Sequence, residues 1–178
     1  MSTHERIVVP DPVGDPEGYQ RALLDLLGDR DPEEVLAQTP ERFAELTDEL
    51  SVEQLQKAPA PGEWSVEQLL AHYFTAEVVY SFRWRLTLTA PGTDYPGYDQ
   101  EAWAALPVPS YSELLAAFAS LRRTNVLLIE ETPTEQWTKA ARHQERGEES
   151  FDLSVRLLAG HDIAHLKQLE QTVAAVTA

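Results

Sequence analysis

The segment SVEQLLAHYFTAEVVYSFRWRLTLT, residues 65–89, carries the pattern that decides the fold. Its first four residues form a capping box, in which Ser65 and Gln68 satisfy free backbone groups at a helix N-terminus. Apolar residues then recur along one face at helical spacing, and Pro91-Gly92 stops the pattern. We therefore predict one long amphipathic helix from Ser65 to about Thr89.

Similar signals predict three further helices. Asp31-Pro32 opens a first helix, which restarts or kinks at Pro40 and ends near Leu50. A capping box at Ser110 opens a third helix that ends near Glu131, and a last helix starts between residues 150 and 152 and runs almost to the C-terminus. No segment alternates as a strand does. The sequence therefore predicts an all-α fold, a four-helix bundle.

The segments outside these helices set the domain organisation. Residues 1–18 are rich in proline and glycine, so we expect an extended N-terminal arm followed by a single domain from residue 19 to 178. The long loop between helices 2 and 3, residues 90–109, is long enough to cross a helix of about 36 Å. Helices 2 and 3 could therefore run parallel.

Charge and cysteine content exclude several classes of function. The net charge is −16, from 30 acidic and 14 basic residues, so we expect no binding to nucleic acid, whose phosphates would be repelled. The absence of cysteine excludes thiolate metal sites and a cysteine nucleophile. The sequence has no signal segment and no run of transmembrane length, so we expect a cytoplasmic protein that does not associate with a membrane.

Three of the five histidines form a candidate metal site. His161 and His165 are four residues apart and project from the same face of the last helix, and His72 lies on a largely apolar stripe of its own helix. Inward histidines are costly unless they have partners. One shared zinc or nickel ion would satisfy all three. Three separately hydrogen-bonded core histidines are the alternative.

The remaining titratable residues give weaker indications. His143 lies in a polar segment, which suits a solvated loop residue as well as an accessory residue of the site, and His4 in the arm has no predicted role. Glu77 and Asp162 are the acids closest along the helices to a predicted ligand, but they are offset from it by about 140° and 100°. The catalytic base is therefore left unassigned.

Short motifs accompany the histidines in a fixed order. They are Trp64-Ser65 before His72, Arg83-x-Arg-Leu-x-Leu-Thr, Tyr98-Asp99 with Trp103-Ala104, His143-x-Glu-x-Gly, and His161-x-x-x-His165. In this order the chain resembles the DinB/YfiT-like superfamily, most specifically its YfiT-type branch of metal-dependent hydrolases related to bacillithiol S-transferases. The resemblance implies a bundle with up-down-down-up order, a three-histidine nickel or zinc site, and often a homodimer. The branch usually carries further histidines where this chain has Ala71 and Ala164.

Two chemistries suit such a site and a small-molecule substrate. A metal can activate water for hydrolysis, or a low-molecular-weight thiol for transfer to an electrophile. Arg83 lies within about 20° of the face of His72, which suits an anchor for the carboxylates of a thiol cofactor as well as an ion pair at the bundle end, with Glu77 or an acid of the third helix. Bacillithiol and mycothiol are the candidate thiol cofactors. We predict a thiol S-transferase. The alternatives are a metal-dependent hydrolase and a non-catalytic stress protein that binds a metal or ligand.

Four more residues are candidates for substrate or cofactor contact. Asn125 lies on the inward stripe of the third helix, where it either lines the cavity or fixes helix register. Gln168 shares the stripe of His161 and His165. Tyr98 and Trp103, in the long loop, either cover the site or pack across the bundle.

Overall fold

A computed structural model describes residues 9–104 and 106–178, and it contains the four long helices that the sequence predicts. These helices are α2 (Pro32–Thr47), α4 (Val66–Thr89), α6 (Tyr111–Glu130) and α7 (Phe151–Thr177). Shorter elements are α1 (Pro16–Leu27), α3 (Val52–Gln56), α5 (Gln100–Ala104), a 3-10 turn (Thr134–Gln136), and strands β1 (Asp94–Tyr95), β2 (Ala140–His143) and β3 (Gly147–Ser150). Among the described residues, no helix combines the length and the apolar character that crossing a bilayer requires.

The long helices begin where the capping signals predict. The Ser65 hydroxyl accepts from the backbone N–H of Gln68, and the Gln68 side chain accepts from the backbone N–H of Ser65 at 2.9 Å. Ser150 caps α7 in a similar way, through the backbone N–H of Leu153. Pro40 lies inside α2 and does not end it. The start residues are therefore determined by local hydrogen bonding.

Helices α4 and α6 run parallel. Arg122 of α6 donates to Glu77 of α4 at 2.6 Å, and Asn125, about one turn later, accepts from Ser81 at 2.9 Å. Both helices advance together along these contacts. The loop of residues 90–109 therefore returns the chain along the bundle, as its length allows.

Helices α4 and α7 run antiparallel. His72 contacts His161, whereas Trp84, later in α4, donates to Ser154, which comes earlier in α7. Residues later in α4 therefore contact residues earlier in α7.

Helices α2 and α6 are also antiparallel. The Leu36 carbonyl accepts from Arg122, and the Thr47 hydroxyl hydrogen bonds the Tyr111 hydroxyl at the opposite end. With α4 parallel to α6 and antiparallel to α7, the order of the bundle is up-down-down-up. This topology is the one that the family resemblance implies.

The N-terminal segment differs from the prediction of an extended arm through residue 18. Helix α1 begins at Pro16, where Asp15 accepts from the backbone N–H of Gly18 at 2.9 Å and proline occupies the first turn. The helix packs against α7. His4 lies outside the described residues.

A small sheet, which the sequence did not predict, fixes the long loop. Strand β1 pairs in parallel with β2, and β2 pairs antiparallel with β3. Tyr95 lies opposite His143 in this register, and its hydroxyl donates to buried Glu149 at 2.8 Å. The loop is therefore attached to the hairpin that precedes α7.

Two apolar clusters fill the bundle, with a polar layer between them. Trp84 and Phe151 belong to one cluster, and Phe43 and Phe118 belong to the other. Along α6 the clusters are separated by Arg122, which is 1% exposed. This buried polar layer lies at the level of His72 and His161, which are also buried.

Gly160 sets the distance between α1 and α7. A Cβ atom at this position would lie 2.2 Å from the Leu23 carbonyl oxygen. We predict that Gly160→Ala lowers the free energy of unfolding by about 1–3 kcal/mol, because α1 must move outward. Helix propensity alone predicts the opposite sign, a gain of roughly 1 kcal/mol. Urea denaturation measures the difference, and a variant as stable as the wild type would contradict this close approach.

Candidate metal centre

Three histidines from two helices converge inside the bundle. His72 from α4 and His161 and His165 from α7 each offer one nitrogen, and these nitrogens all lie within 4.8 Å of one another. The Nε2 atoms of His72 and His161 are 2.9 Å apart. The antiparallel packing of α4 and α7 therefore brings together the three residues that the sequence singles out.

Neighbouring side chains hold the rings in place. The indole of Trp64 packs against His72 and His165, with ring centroids 4.9 and 6.3 Å away. Gln168 lies 2.9 Å from Nδ1 of His165 through its Oε1 atom. An amide oxygen only accepts, so this contact assigns the proton of His165 to Nδ1 and leaves the lone pair on Nε2.

The site keeps the imidazoles of His72 and His165 neutral. Burial, together with His165 and His161, lowers the pKa of His72 well below its usual value. Burial and His161 lower the pKa of His165 to about 3. Neutral imidazole is the form that coordinates a metal.

Two features show that these residues fit a divalent cation. The closest contact joins two ring nitrogens, His72 Nε2 and His161 Nε2, rather than a nitrogen and a carboxylate. The other ring nitrogen of His161, Nδ1, is buried without a hydrogen-bond partner among the described residues. Three imidazole nitrogens are a common donor set for zinc or nickel.

A cavity of about 420 Å³ opens beside His161 and His165. Tyr19 from α1 and Gln100 from the long loop line it together with one face of α7. Glu63 and Lys167 are the charged residues among the described lining. The other lining residues are Val9, Pro10, Pro12, Leu23, Pro59, Ala164, Gln168, Gln171, Thr172 and Ala175. The volume suits a small molecule.

The structure does not bring Arg83 to this cavity. The side chain is 3% exposed and donates to the Pro96 carbonyl at 2.9 Å, beside His143 at 3.2 Å. Its guanidinium also lies over the Tyr95 ring. Its position on α4 is as predicted, but the long loop and the β2–β3 hairpin cover it. Anchoring of cofactor carboxylates therefore has no geometric support at Arg83, and the predicted ion pair with Glu77 does not form.

The other predicted contact residues fall into two groups. Gln168 lines the cavity, as expected for a residue on the stripe of the ligands. Asn125 is fully buried and joins α6 to α4 through Glu77, so it fixes register and does not line the cavity. Tyr98 and Trp103 contact each other, with centroids 5.1 Å apart, and Gln100 from the same loop lines the cavity in their place.

His143 is neither a solvated loop residue nor part of the metal centre. It is 1% exposed, its Nδ1 accepts from the backbone N–H of Glu145, and its Nε2 faces Arg83. Burial lowers its pKa to about 4, with help from the positive charges of Arg146 and Arg83. The residue is therefore a neutral part of the packing beneath the long loop.

Sequence reasoning missed the partners of the two acids nearest the ligands. Glu77 and Asp162 are fully buried, and Arg122 bonds both of them. The helical spacing of Phe118, Arg122 and Asn125 was the available signal, because it places Arg122 on the inward face of α6. Neither acid lines the cavity.

Comparison with known proteins identifies the family. The chain matches the DinB superfamily over residues 35–169. It is 30% identical over 134 residues to an Oceanobacillus iheyensis protein named "putative metal-dependent hydrolase", covering 72% of this chain and 76% of the relative. A Bacillus pumilus protein of the same name is 27% identical over 140 residues, covering 75% and 80%.

This chain belongs to the DinB superfamily. Its fold is similar to that of YfiT from Bacillus subtilis, with a TM-score of 0.70, 20% identity, and 87% of each chain covered. That structure is described as "a probable metal-dependent hydrolase with an unusual four-helix bundle topology".

The low pKa of His143 predicts a pH dependence of stability. Between pH 6.5 and about 4 the residue binds a proton in the unfolded chain but not in the folded one, so the free energy of unfolding falls as the pH falls. In metal-free protein, His143→Gln should reduce the slope of the free energy of unfolding against pH. The reduction should be at most that of one bound proton, about 1.4 kcal/mol per pH unit. Urea denaturation at pH 7, 6 and 5 measures the slopes. Identical slopes in the two proteins would contradict a neutral, buried His143.

Proposed function

We propose that this DinB-family chain is a metal-dependent hydrolase that binds one zinc or nickel ion through His72, His161 and His165. The observation that supports it best is the convergence of these three histidines beside a cavity large enough for a small substrate, which His161 and His165 line. The names of the relatives point to the same class of reaction. A divalent ion held by these three histidines would act as a Lewis acid and would make a nucleophile available from water or a thiol near neutral pH.

The chain's own residues provide binding and orientation. Trp64 and Gln168 hold the histidine rings, so that little motion is needed when the substrate arrives. Lys167 is exposed and is among the residues that line the cavity, where its positive charge favours an anionic group on the substrate. Tyr19 and Gln100 add hydrogen-bond donors from two other segments. These features favour a small, polar substrate that carries negative charge.

Thiol S-transfer is the second candidate, and Lys167 is the observation that favours it. Bacillithiol carries carboxylates that a cation at the cavity could orient, and the chain has no cysteine to supply sulfur itself. In this proposal Lys167 takes the role that the sequence suggested for Arg83. The metal ligands are the same in both reactions, so the nucleophile alone separates them.

Activity of reconstituted protein tests the proposal. Metal-free protein loaded with zinc or nickel should hydrolyse members of a panel of small esters, amides and lactones that bear a carboxylate. His161→Ala should reduce the rate by more than about 100-fold, because losing a ligand costs more than losing a residue behind it. Lys167→Ala should raise KM for carboxylate-bearing substrates more than for neutral ones.

The same assays separate the candidates. Conjugation of bacillithiol or mycothiol to a bimane, without hydrolysis of the panel, would replace the hydrolase with the S-transferase. Background rates in both assays with fully metallated protein would contradict catalysis and leave a binding protein.

A further inference from the structure

Asp162 lies next to the predicted ligand His161 and is completely buried. Its Oδ1 atom is 3.8 Å from Nδ1 of His161. That nitrogen is itself buried and has no hydrogen-bond partner among the described residues. A buried ring nitrogen without a partner is uncommon, because the missing hydrogen bond costs free energy.

Arg122 holds the Asp162 carboxylate in place. Its Nη1 atom donates to Oδ2 of Asp162 at 2.5 Å, and the backbone carbonyl of Asp162 accepts from the Tyr73 hydroxyl at 2.8 Å. Both side chains of the ion pair are buried. A fixed carboxylate acceptor therefore lies behind His161.

The same guanidinium binds a second carboxylate that does not contact the metal centre. The Nε atom of Arg122 donates to Glu77 at 2.6 Å, and its Nη1 atom also donates to the Leu36 carbonyl at 2.9 Å. The other oxygen of Glu77 accepts from Asn125 at 2.7 Å. Glu77 and Asp162 are thus matched in burial and in their partner. They differ in that Asp162 lies beside a predicted ligand.

We propose that Asp162 is a positioning residue for the metal centre, which accepts the Nδ1–H of His161 when Nε2 of that ring coordinates the ion. The proposal rests on the metal site proposed above. A histidine that coordinates through one nitrogen usually donates its other N–H to a carboxylate or carbonyl, which fixes the ring and makes it a stronger ligand. A small rotation of the ring or the carboxylate brings 3.8 Å to hydrogen-bond length, about 3 Å.

The pair Asp162→Asn and Glu77→Gln tests the proposal by metal affinity. Each variant replaces one of the two carboxylates that pair with Arg122 by a neutral amide of nearly the same shape. Both variants should therefore lower the melting temperature. Competition of each metal-free protein with a chromophoric chelator for zinc gives the dissociation constant. We expect Asp162→Asn to weaken zinc binding by about 10- to 100-fold. We expect Glu77→Gln to stay within about threefold of wild type, since it leaves His161 untouched.

A measurement on the wild-type protein covers the case in which Asp162→Asn does not fold. Nitrogen-15 NMR of zinc-loaded protein labelled at histidine should show an Nδ1–H of His161 that exchanges slowly with water, as expected for a buried hydrogen bond.

Three results would overturn the proposal. These are equal zinc affinity in wild type and Asp162→Asn, equal weakening in the two variants, and a rapidly exchanging or absent Nδ1–H. In each of them the wild type still binds zinc, so the metal site proposed above survives. A wild type that binds neither zinc nor nickel would overturn both.

Discussion

The guanidinium of Arg122 joins the four long helices at one level of the bundle. It lies on α6 and bonds the Leu36 carbonyl of α2, the Glu77 carboxylate of α4 and the Asp162 carboxylate of α7. Breaking a buried ion pair by removing one partner costs about 3–5 kcal/mol, because a charge is left without compensation. Sliding any of these helices by one turn would have the same effect. The interaction therefore fixes the register of the bundle, which apolar packing alone specifies less strictly.

The register set by Arg122 also positions the candidate site. Asp162 directly follows His161 in α7, and Glu77 follows His72 in α4 by little more than one turn. When both acids meet the same guanidinium, His72 and His161 lie opposite each other. The cavity is then completed from outside the four helices, by Tyr19 of α1 and Gln100 of the long loop. Structural and functional requirements are thus met by adjacent residues.

Local signals predicted the long helices and the three histidines that converge, but not the segments that cover them. Capping boxes and the helical spacing of apolar residues depend on near neighbours, so they show in the sequence. The helix-start signal at Asp15-Pro16 resembles that at Asp31-Pro32, but Gly14 and Gly18 beside it are typical of an extended segment, so the sequence did not predict α1. The sequence placed Arg83 on the inward face of its helix correctly, but it did not show that the long loop covers this side chain. The sheet that covers it pairs residues far apart in the chain, which no local pattern reveals.

Anomalous diffraction from crystals of the protein loaded with zinc or nickel tests the central claim most directly. The account predicts one strong peak per chain among His72, His161 and His165, with Oδ1 of Asp162 within about 3.2 Å of Nδ1 of His161. A strong peak at another group of residues would contradict it. So would the absence of a peak while the two Nε2 atoms of His72 and His161 remain 2.9 Å apart.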